Sequence, residues 1–277
     1  QGLKNLLEQE FIKKKKQIDS KLKEIIVPIK ANSVLFAAID HSIFSGGKRI
    51  RPVLLLSTFE SLSANRNEAA IYAGCALEML HCYSLVHDDL PCLDNDEYRR
   101  GKKTTHALYG EDIGLLAGDA LLTEAIHTLS LISEDLLDPS STINLIRVLT
   151  EKGGIYGMIE GQALECFQKN PSSITKNTSL TIMTNKTAAL FSAAFMMGAI
   201  CAKQPKKVVS LFDEIGILFG QAFQLADDYQ DRTNINEKAN AFQLFDESEM
   251  IPNSISNDEL ENYLSNQDNL SLILEND

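Results

Sequence analysis

The chain has 277 residues, enough to bury a sizeable core as one large domain or two modest ones. Its 26 basic and 38 acidic residues leave a net charge of −12, which excludes nucleic acid, because phosphate backbones are bound by net positive surfaces. A small phosphorylated ligand stays compatible, provided that metal ions and a few placed cations mediate the contact. Cys75, Cys82, Cys92, Cys166 and Cys201 form no C-x-x-C pair and no zinc spacing, and read as reduced, mostly buried thiols.

Taken in order, almost every segment repeats at a helical period. Leu3, Leu6, Leu7, Phe11, Ile18, Leu22 and Ile25 mark a first amphipathic helix, with Lys13 to Lys16 as a solvated face. Residues 1–30 are amphipathic and carry many charges, so no signal peptide is visible and the expected compartment is the cytoplasm. The chain starts at Gln1 rather than Met, which leaves a removed organellar transit peptide open. A helix over 33–45 ends at Gly46-Gly47, and another starts near Pro52. Long helices follow over 67–89 and 112–132. Asp138-Pro139-Ser140 opens a helix through Thr150, Gly153-Gly154 turns the chain, and Gly157 and Gly161 let a helix pack closely. A helix over 179–202 and a last one over 205–231 complete the series. The apolar run Thr187 to Ala202 is shorter than the ~20 residues that cross a bilayer, and reads as core. With no period-two alternation and no hairpin signal, the predicted class is all-α. The expected organisation is a single domain over 1–277, with a divergent end at 239–277 that lacks Lys and Arg and is rich in Asn, Ser, Asp and Glu.

Four stretches carry chemistry. In Gly46-Gly47-Lys48-Arg49-Ile50-Arg51-Pro52, capping explains the glycines and the proline but not the cations, which oppose the dipole of the next helix. With the free N–H groups there, the stretch reads as a phosphate site. From His81 to Arg100 an apolar helix runs into Asp88, Asp89, Asp94 and Asp96. Carboxylates 4 Å apart in water repel by about 1 kcal/mol per pair, and a divalent cation would offset that. Asp88 and Asp94 share no face of an unbroken helix, but Pro91 lets the chain leave the helix and bring Asp94 back. His81 lies two turns before Asp88 on the same stripe as Ser84, as a satisfied core histidine or as a donor to a diphosphate. Asp227 and Asp231 share a face of the last helix, and two carboxylate clusters across a cavity suit Mg²⁺. Lys186, with Thr187 beside it, interrupts an apolar helix and either snorkels to solvent or reaches into that cavity.

Together these pieces resemble the trans-isoprenyl diphosphate synthases, most closely the bacterial farnesyl diphosphate synthases. The resemblance covers roughly residues 33 to 232 and rests on Gly46 to Pro52, Asp88-Asp89-Leu90-Pro91-Cys92-Leu93-Asp94 with Arg99-Arg100-Gly101, Gly157 to Gln162, Lys186-Thr187 and Asp227-Asp228-Tyr229-Gln230-Asp231. It implies a helical bundle of the isoprenoid synthase type around a central cavity, working as a homodimer. The implied reaction is head-to-tail (1′-4) condensation of isopentenyl diphosphate with dimethylallyl or geranyl diphosphate. It also implies Mg²⁺, two or three ions with Mn²⁺ as a substitute, held by Asp88, Asp89, Asp94, Asp227 and Asp228 with Asp231 in support. Asp88, Asp89, Lys186 and Asp227 would stand nearest the chemistry, with Arg99, Thr187 and Gln224 assisting at the allylic diphosphate. Lys48, Arg51, His81 and Arg100 would hold isopentenyl diphosphate.

In this family residues just upstream of the first aspartates floor the cavity. Bulky Tyr83 beside small Ser84 resembles the bacterial farnesyl enzymes and would stop growth at C15. The wording from Leu90 to Asp96 also resembles plant geranylgeranyl enzymes, so C20 stays open, as does C10. One departure stands out: the family's Lys-Gly-Lys closing loop has only Lys238 as its counterpart. A non-catalytic homologue that modulates a partner synthase, or a terpene cyclase, are the competing readings. The complete carboxylate clusters count against the first, and Lys48, Arg51 and His81 would be without purpose in the second.

Overall fold

The computed structural model describes residues 2–26, 33–64, 68–168 and 175–230. The expectations for Asp231, Lys238 and the 239–277 end lie outside the described residues.

The hub is α4 (Glu68–Asp88), which is apolar on every side but for the cavity-lining Glu78, His81, Ser84, His87 and Asp88, and buries Ala73, Leu77, Met79 and Leu80 completely or nearly so. A helix of that kind must be wrapped on all sides. Around it pack α1 (Gly2–Ile26), α2 (Val34–Phe44), α3 (Ile50–Leu62), α6 (Glu111–Ser130), α7 (Pro139–Gly153) and α10 (Ala189–Cys201). Each fully buried Leu or Ile in that packing contributes roughly 1.5–3 kcal/mol. Close approach is built in at Gly74, where a Cβ would sit 2.7 Å from Ile18 Cδ1 on α1 and 3.3 Å from Pro52 Cβ on α3. α5 (Thr105–Tyr109) leads into α6, and α8 (Met158–Phe167) follows α7. α9 (Lys176–Met183) precedes α10, and α11 (Lys206–Gln230) lies along α10 as the outer wall.

The all-α reading holds, with four local corrections. Tyr98–Arg99 (β1) and Lys102–Lys103 (β2) form a short antiparallel ribbon, with Arg100 and Gly101 at its tip at φ +52° and +72°. Positive φ at both central residues is the mark of a two-residue hairpin turn, and strands two residues long show no alternation in the sequence. The helix expected over 179–202 is instead α9 and α10 joined through a π turn, Thr184–Ala188. Lys14 is not on a solvated face: it is buried, paired with Glu10 at 3.3 Å and Glu60 at 2.9 Å. By length and composition α4 and α11 could each cross a bilayer, although the run over 187–202 could not. α4 is instead enclosed by its neighbours. α7 starts as expected, with Asp138 accepting from the Ser141 N–H at 2.9 Å and Pro139 in the first turn.

Candidate active site

A cavity of about 760 Å³ opens between the C-terminal half of α4, the loop before α3, α8, the π turn and the end of α11. Its two ends carry opposite charge.

The cationic end is built by the loop into α3 and by the ribbon tip. Gly46 and Gly47 have φ of +146° and +128°, which glycine alone adopts without strain. A Cβ at Gly47 would sit 2.8 Å from Arg100 Nη1, so the missing side chain is what lets the ribbon's cation close on this loop. Lys48, Arg51, His81 and Arg100 all line the cavity, as expected of them. Arg51 Nη1 lies 3.3 Å from His81 Nε2, and its guanidinium stacks 4.5 Å over the Phe191 ring. Arginine only donates, so Nε2 accepts and His81 is neutral, with its proton on Nδ1. Burial holds the His81 pKa well below the usual range, and the Arg51 and Arg100 charges push the same way. The sequence leaves His81 open between a satisfied core histidine and a diphosphate donor; here Nε2 accepts from Arg51 and Nδ1–H is the group left to donate. Burial, with Arg100 adding, lowers Arg51 itself to about 10, against the opposing pull of Glu78, so it stays charged at neutral pH.

Arg49, two residues away, is not a ligand for an anion at all. It is buried, bonds Asp19 on α1 and Glu78 on α4 at 2.9 Å each, and donates to the Ile43 carbonyl at the end of α2. Three helices are tied by one side chain. Lys48, Arg49 and Arg51 all line the cavity, and what sets Arg49 apart is its pairing with Asp19 and Glu78.

At the anionic end, Pro91 does what its position predicts. The helix ends at Asp88, and the chain folds back with Asp94 N–H on the Asp88 carbonyl (2.9 Å) and Asp96 N–H on that of Asp89 (3.1 Å). Burial lifts the Asp88 pKa to about 6; Asp94 and Glu165 add to the rise, while Lys186 and Arg99 oppose it. Asp227 lines the same cavity from α11. Asp228 beside it is 4% exposed and accepts from Gln224 Nε2 at 2.6 Å. Gln224 Oε1 in turn accepts from Thr187 Oγ1 at 2.8 Å.

Lys186 reaches the cavity rather than solvent and pairs with Glu165 on α8, a residue the sequence gave no reason to single out. Burial lowers the pKa of Lys186, but the charges of Glu165, Asp88 and Asp94 outweigh it and leave the net shift upward.

The aspartates expected as metal ligands are not equivalent. Asp89 is buried and bonded by Arg99 through Nε at 2.8 Å and Nη2 at 2.6 Å, so an arginine holds the carboxylate expected to hold a cation. Arg99 thereby faces Asp89 and Asp96 and does not line the cavity. Among the described residues no three acidic, His or Cys side chains converge into a ready cation cage.

Much of the remaining lining is apolar. Tyr83 is 5% exposed, and its hydroxyl is buried without a partner among the described residues. Burial, with the Asp88 charge adding, pushes that phenol up to about 12. Its ring meets His87 edge-on at 5.6 Å. Ser84 turns its hydroxyl back onto the His81 carbonyl at 2.8 Å. Leu122, Met158 and Leu190 complete the lining there.

Residues 32–276 match the family model described as polyprenyl synthetase. The chain belongs to the polyprenyl synthetase family. It is 36% identical over 231 residues to the farnesyl diphosphate synthase of Geobacillus stearothermophilus, covering 83% of this chain and 77% of that one. It is 34% identical over 230 residues to geranylgeranyl pyrophosphate synthase 3, chloroplastic, of Arabidopsis thaliana, covering 82% of this chain and 63% of the plant protein. Among solved structures, the geranyltransferase from Legionella pneumophila superposes with a TM-score of 0.81 at 30% identity, over 98% of this chain and 92% of that one. The fold is that of the isoprenoid synthases, and these relatives are prenyltransferases by name. The match runs past the second aspartate motif to residue 276, further than the span of about 33–232 on which the sequence resemblance rests.

Proposed function

We propose that the protein condenses isopentenyl diphosphate head-to-tail (1′-4) with dimethylallyl or geranyl diphosphate and releases farnesyl diphosphate. The observation that carries this reading is the two-ended cavity: two fixed arginines and a lysine at one end, carboxylates with one lysine at the other, and an apolar floor closed by Tyr83.

The donor set fits magnesium. Asp88, Asp94 and Asp227 offer oxygen only, and Mg²⁺ takes one or two carboxylates per ion, completing its octahedron with phosphate oxygens and water. A site without a protein-only cage is what that chemistry calls for. Asp88, Asp94, Asp227 and Asp228 would hold the ions, Asp231 would support them, and Asp89 would join once Arg99 turns to a diphosphate. When bound, magnesium supplies positive charge against the negative charge that develops on the departing diphosphate. Lys186 adds a fixed cation on the same side, in a pocket where burial strengthens its pull. Lys48, Arg51 and Arg100 hold the isopentenyl diphosphate without metal, with His81 orienting Arg51.

In the reaction the allylic C1–O bond breaks with its electron pair leaving on diphosphate. The isopentenyl double bond supplies the pair for the new C–C bond, and a proton lost to the released diphosphate restores an alkene. Thr187, positioned by Gln224, faces the same cavity. Tyr83 lies five residues, about one and a half turns, before Asp88 on α4 and limits the chain to C15. The names of the relatives cover both C15 and C20 products, so the floor is the discriminating feature. The enzyme is read as a cytoplasmic homodimer.

Incubation with isopentenyl and geranyl diphosphates and Mg²⁺, followed by product chromatography, tests the reading. A C15 product is expected, and Tyr83→Ala should lengthen it. A C20 product from the unaltered protein overturns the floor argument, and no prenyl product at all favours the modulating-subunit reading.

A further inference from the structure

We infer that Gly161, Gly220 and Gln221 are positioning residues that grip the π turn from two sides and so aim Lys186 and Thr187 into the cavity. The inference rests on the function proposed above. A π turn inserts one residue into a helix, is rare, and is seen most often as a single turn at a functional site. Here the Thr184 carbonyl accepts from the Ala189 N–H, five residues on, and the inserted residue offsets Lys186 and Thr187 in angle from the α10 residues that follow. Nothing in Thr184-Asn185-Lys186-Thr187-Ala188 itself favours that geometry over an α-helix, so the cause lies in its neighbours.

From α8, Gly161 presses backbone on backbone. A Cβ there would stand 2.3 Å from Lys186 N, 2.7 Å from Lys186 Cα and 2.8 Å from the Asn185 carbonyl carbon. One turn further along the same helix, Glu165 pairs with the Lys186 ammonium. From α11, on the other side, a Cβ at Gly220 would stand 2.5 Å from Ala188 Cα and 2.8 Å from its Cβ. Next to it, Gln221 Nε2 donates to Thr184 Oγ1 at 2.8 Å, and Gln224 takes the Thr187 hydroxyl. Gly216, one turn earlier, continues the seam: a Cβ there would stand 2.4 Å from Ser192 Cα.

A methyl group at either glycine meets main-chain atoms, which cannot rotate away as a flexible side chain can. The helices must part or the turn must move, and Lys186 and Thr187 move with it relative to Asp88 and Asp227. The cationic end belongs to the loop before α3, to α3, α4 and the ribbon; Arg51 touches the α11 seam through Phe191, 3.1 Å from a Cβ at Gly220, whereas the nearest contacts of Gly161 are with Asn185 and Lys186. This separation makes the grip testable.

The variants are Gly161→Ala, Gly220→Ala and Gln221→Ala, with Gly198→Ala as a matched control. Gly198 sits in an equally close contact, 2.6 Å from the Leu55 carbonyl oxygen and 2.8 Å from Thr58 Cβ, but neither it nor those partners line the cavity. Gly161→Ala and Gly220→Ala are expected to lower kcat on the order of 100-fold, the scale of a misplacement near 1 Å. They should also weaken binding of inorganic pyrophosphate with Mg²⁺ in calorimetry, and in Gly161→Ala, whose nearest contacts do not include Phe191 under Arg51, KM for isopentenyl diphosphate should stay where it was. Gly198→Ala should lower the melting temperature and leave kcat and both constants alone. Gln221→Ala introduces no clash, folds as the unaltered chain does, and should shift kcat in the same direction by less. If either glycine variant fails to fold, Gln221→Ala decides, and an unchanged kcat there overturns the inference. It is overturned equally if the glycine variants behave like Gly198→Ala, or if both substrates weaken together in Gly161→Ala. A wild-type chain without prenyl product refutes the proposed function instead; an active wild type with indifferent variants refutes the grip alone.

Discussion

On the proposed function, the two ends of the cavity solve one problem, holding a diphosphate, with opposite charges. At the cationic end the anion meets Lys48, Arg51 and Arg100 directly, and the fold has already neutralised what does not serve: Arg49 is spent on Asp19 and Glu78. At the other end the wall is itself anionic, and burial with mutual repulsion holds Asp88 up near 6. An acidic wall can hold a diphosphate only through a cation. The difference teaches why a chain with a net charge of −12 can take two anionic substrates. On the proposed function, one substrate would be bound by the protein directly and the other through a metal ion.

The largest expected effect comes from removing that metal. Chelation with EDTA, or Asp227→Ala, should lower turnover by at least about 10²–10³-fold, the scale seen when one preorganised electrostatic group is lost. Equilibrium binding of isopentenyl diphosphate should survive both treatments. Loss of binding at both ends would erase the distinction between them.

Next is the strut. Arg49→Ala leaves Glu78, 3% exposed, without its partner in the core. Breaking one side of a buried pair typically costs about 3–5 kcal/mol, which urea unfolding would read directly. A stability within error of the unaltered chain would place Arg49 among the cavity cations after all.

Arg100→Ala should raise the isopentenyl diphosphate KM about tenfold or more, the loss of a charged hydrogen bond, while kcat at saturation changes little. A fall in kcat with KM unmoved would move Arg100 to the other end of the cavity.

The smallest effect is in pH. Asp88 has a folded pKa of about 6, raised above its ordinary value of 3.8, so the native state holds a proton that the unfolded chain has already released. Its contribution to stability is therefore complete below about pH 4 and lost as pH rises through about 6. The metal-free melting temperature should fall across that window, and Asp88→Asn, which does not titrate, should flatten the fall. A profile identical to that of the unaltered protein would mean that Asp88 titrates normally.

Most of the site's chemistry could be read from the chain because it sits in contiguous motifs. Asp88 to Asp94, Gly46 to Pro52 and Asp227-Asp228 each arrive as a block, and the proline between the first aspartates foretold their folding back. What could not be read depends on partners distant in sequence. Nothing local distinguishes Arg49 from Arg51; Asp19 and Glu78 do. Nothing local distinguishes the π turn from the helix expected over 179–202; Gly161 and Gly220 do. Arg99 and Asp89 were expected on opposite duties, and only the ribbon's geometry puts one against the other. The all-α class was legible from periodicity, while the ribbon at 98–103 was too short to leave a pattern.

The most direct test of the central claim is a crystal grown with Mn²⁺ in place of Mg²⁺ and an unreactive allylic bisphosphonate. Anomalous peaks are expected between the bisphosphonate oxygens and both Asp88/Asp94 and Asp227, with Lys186 on the same phosphonate. A bisphosphonate seated on Lys48 and Arg51, with no manganese at either carboxylate wall, would contradict it.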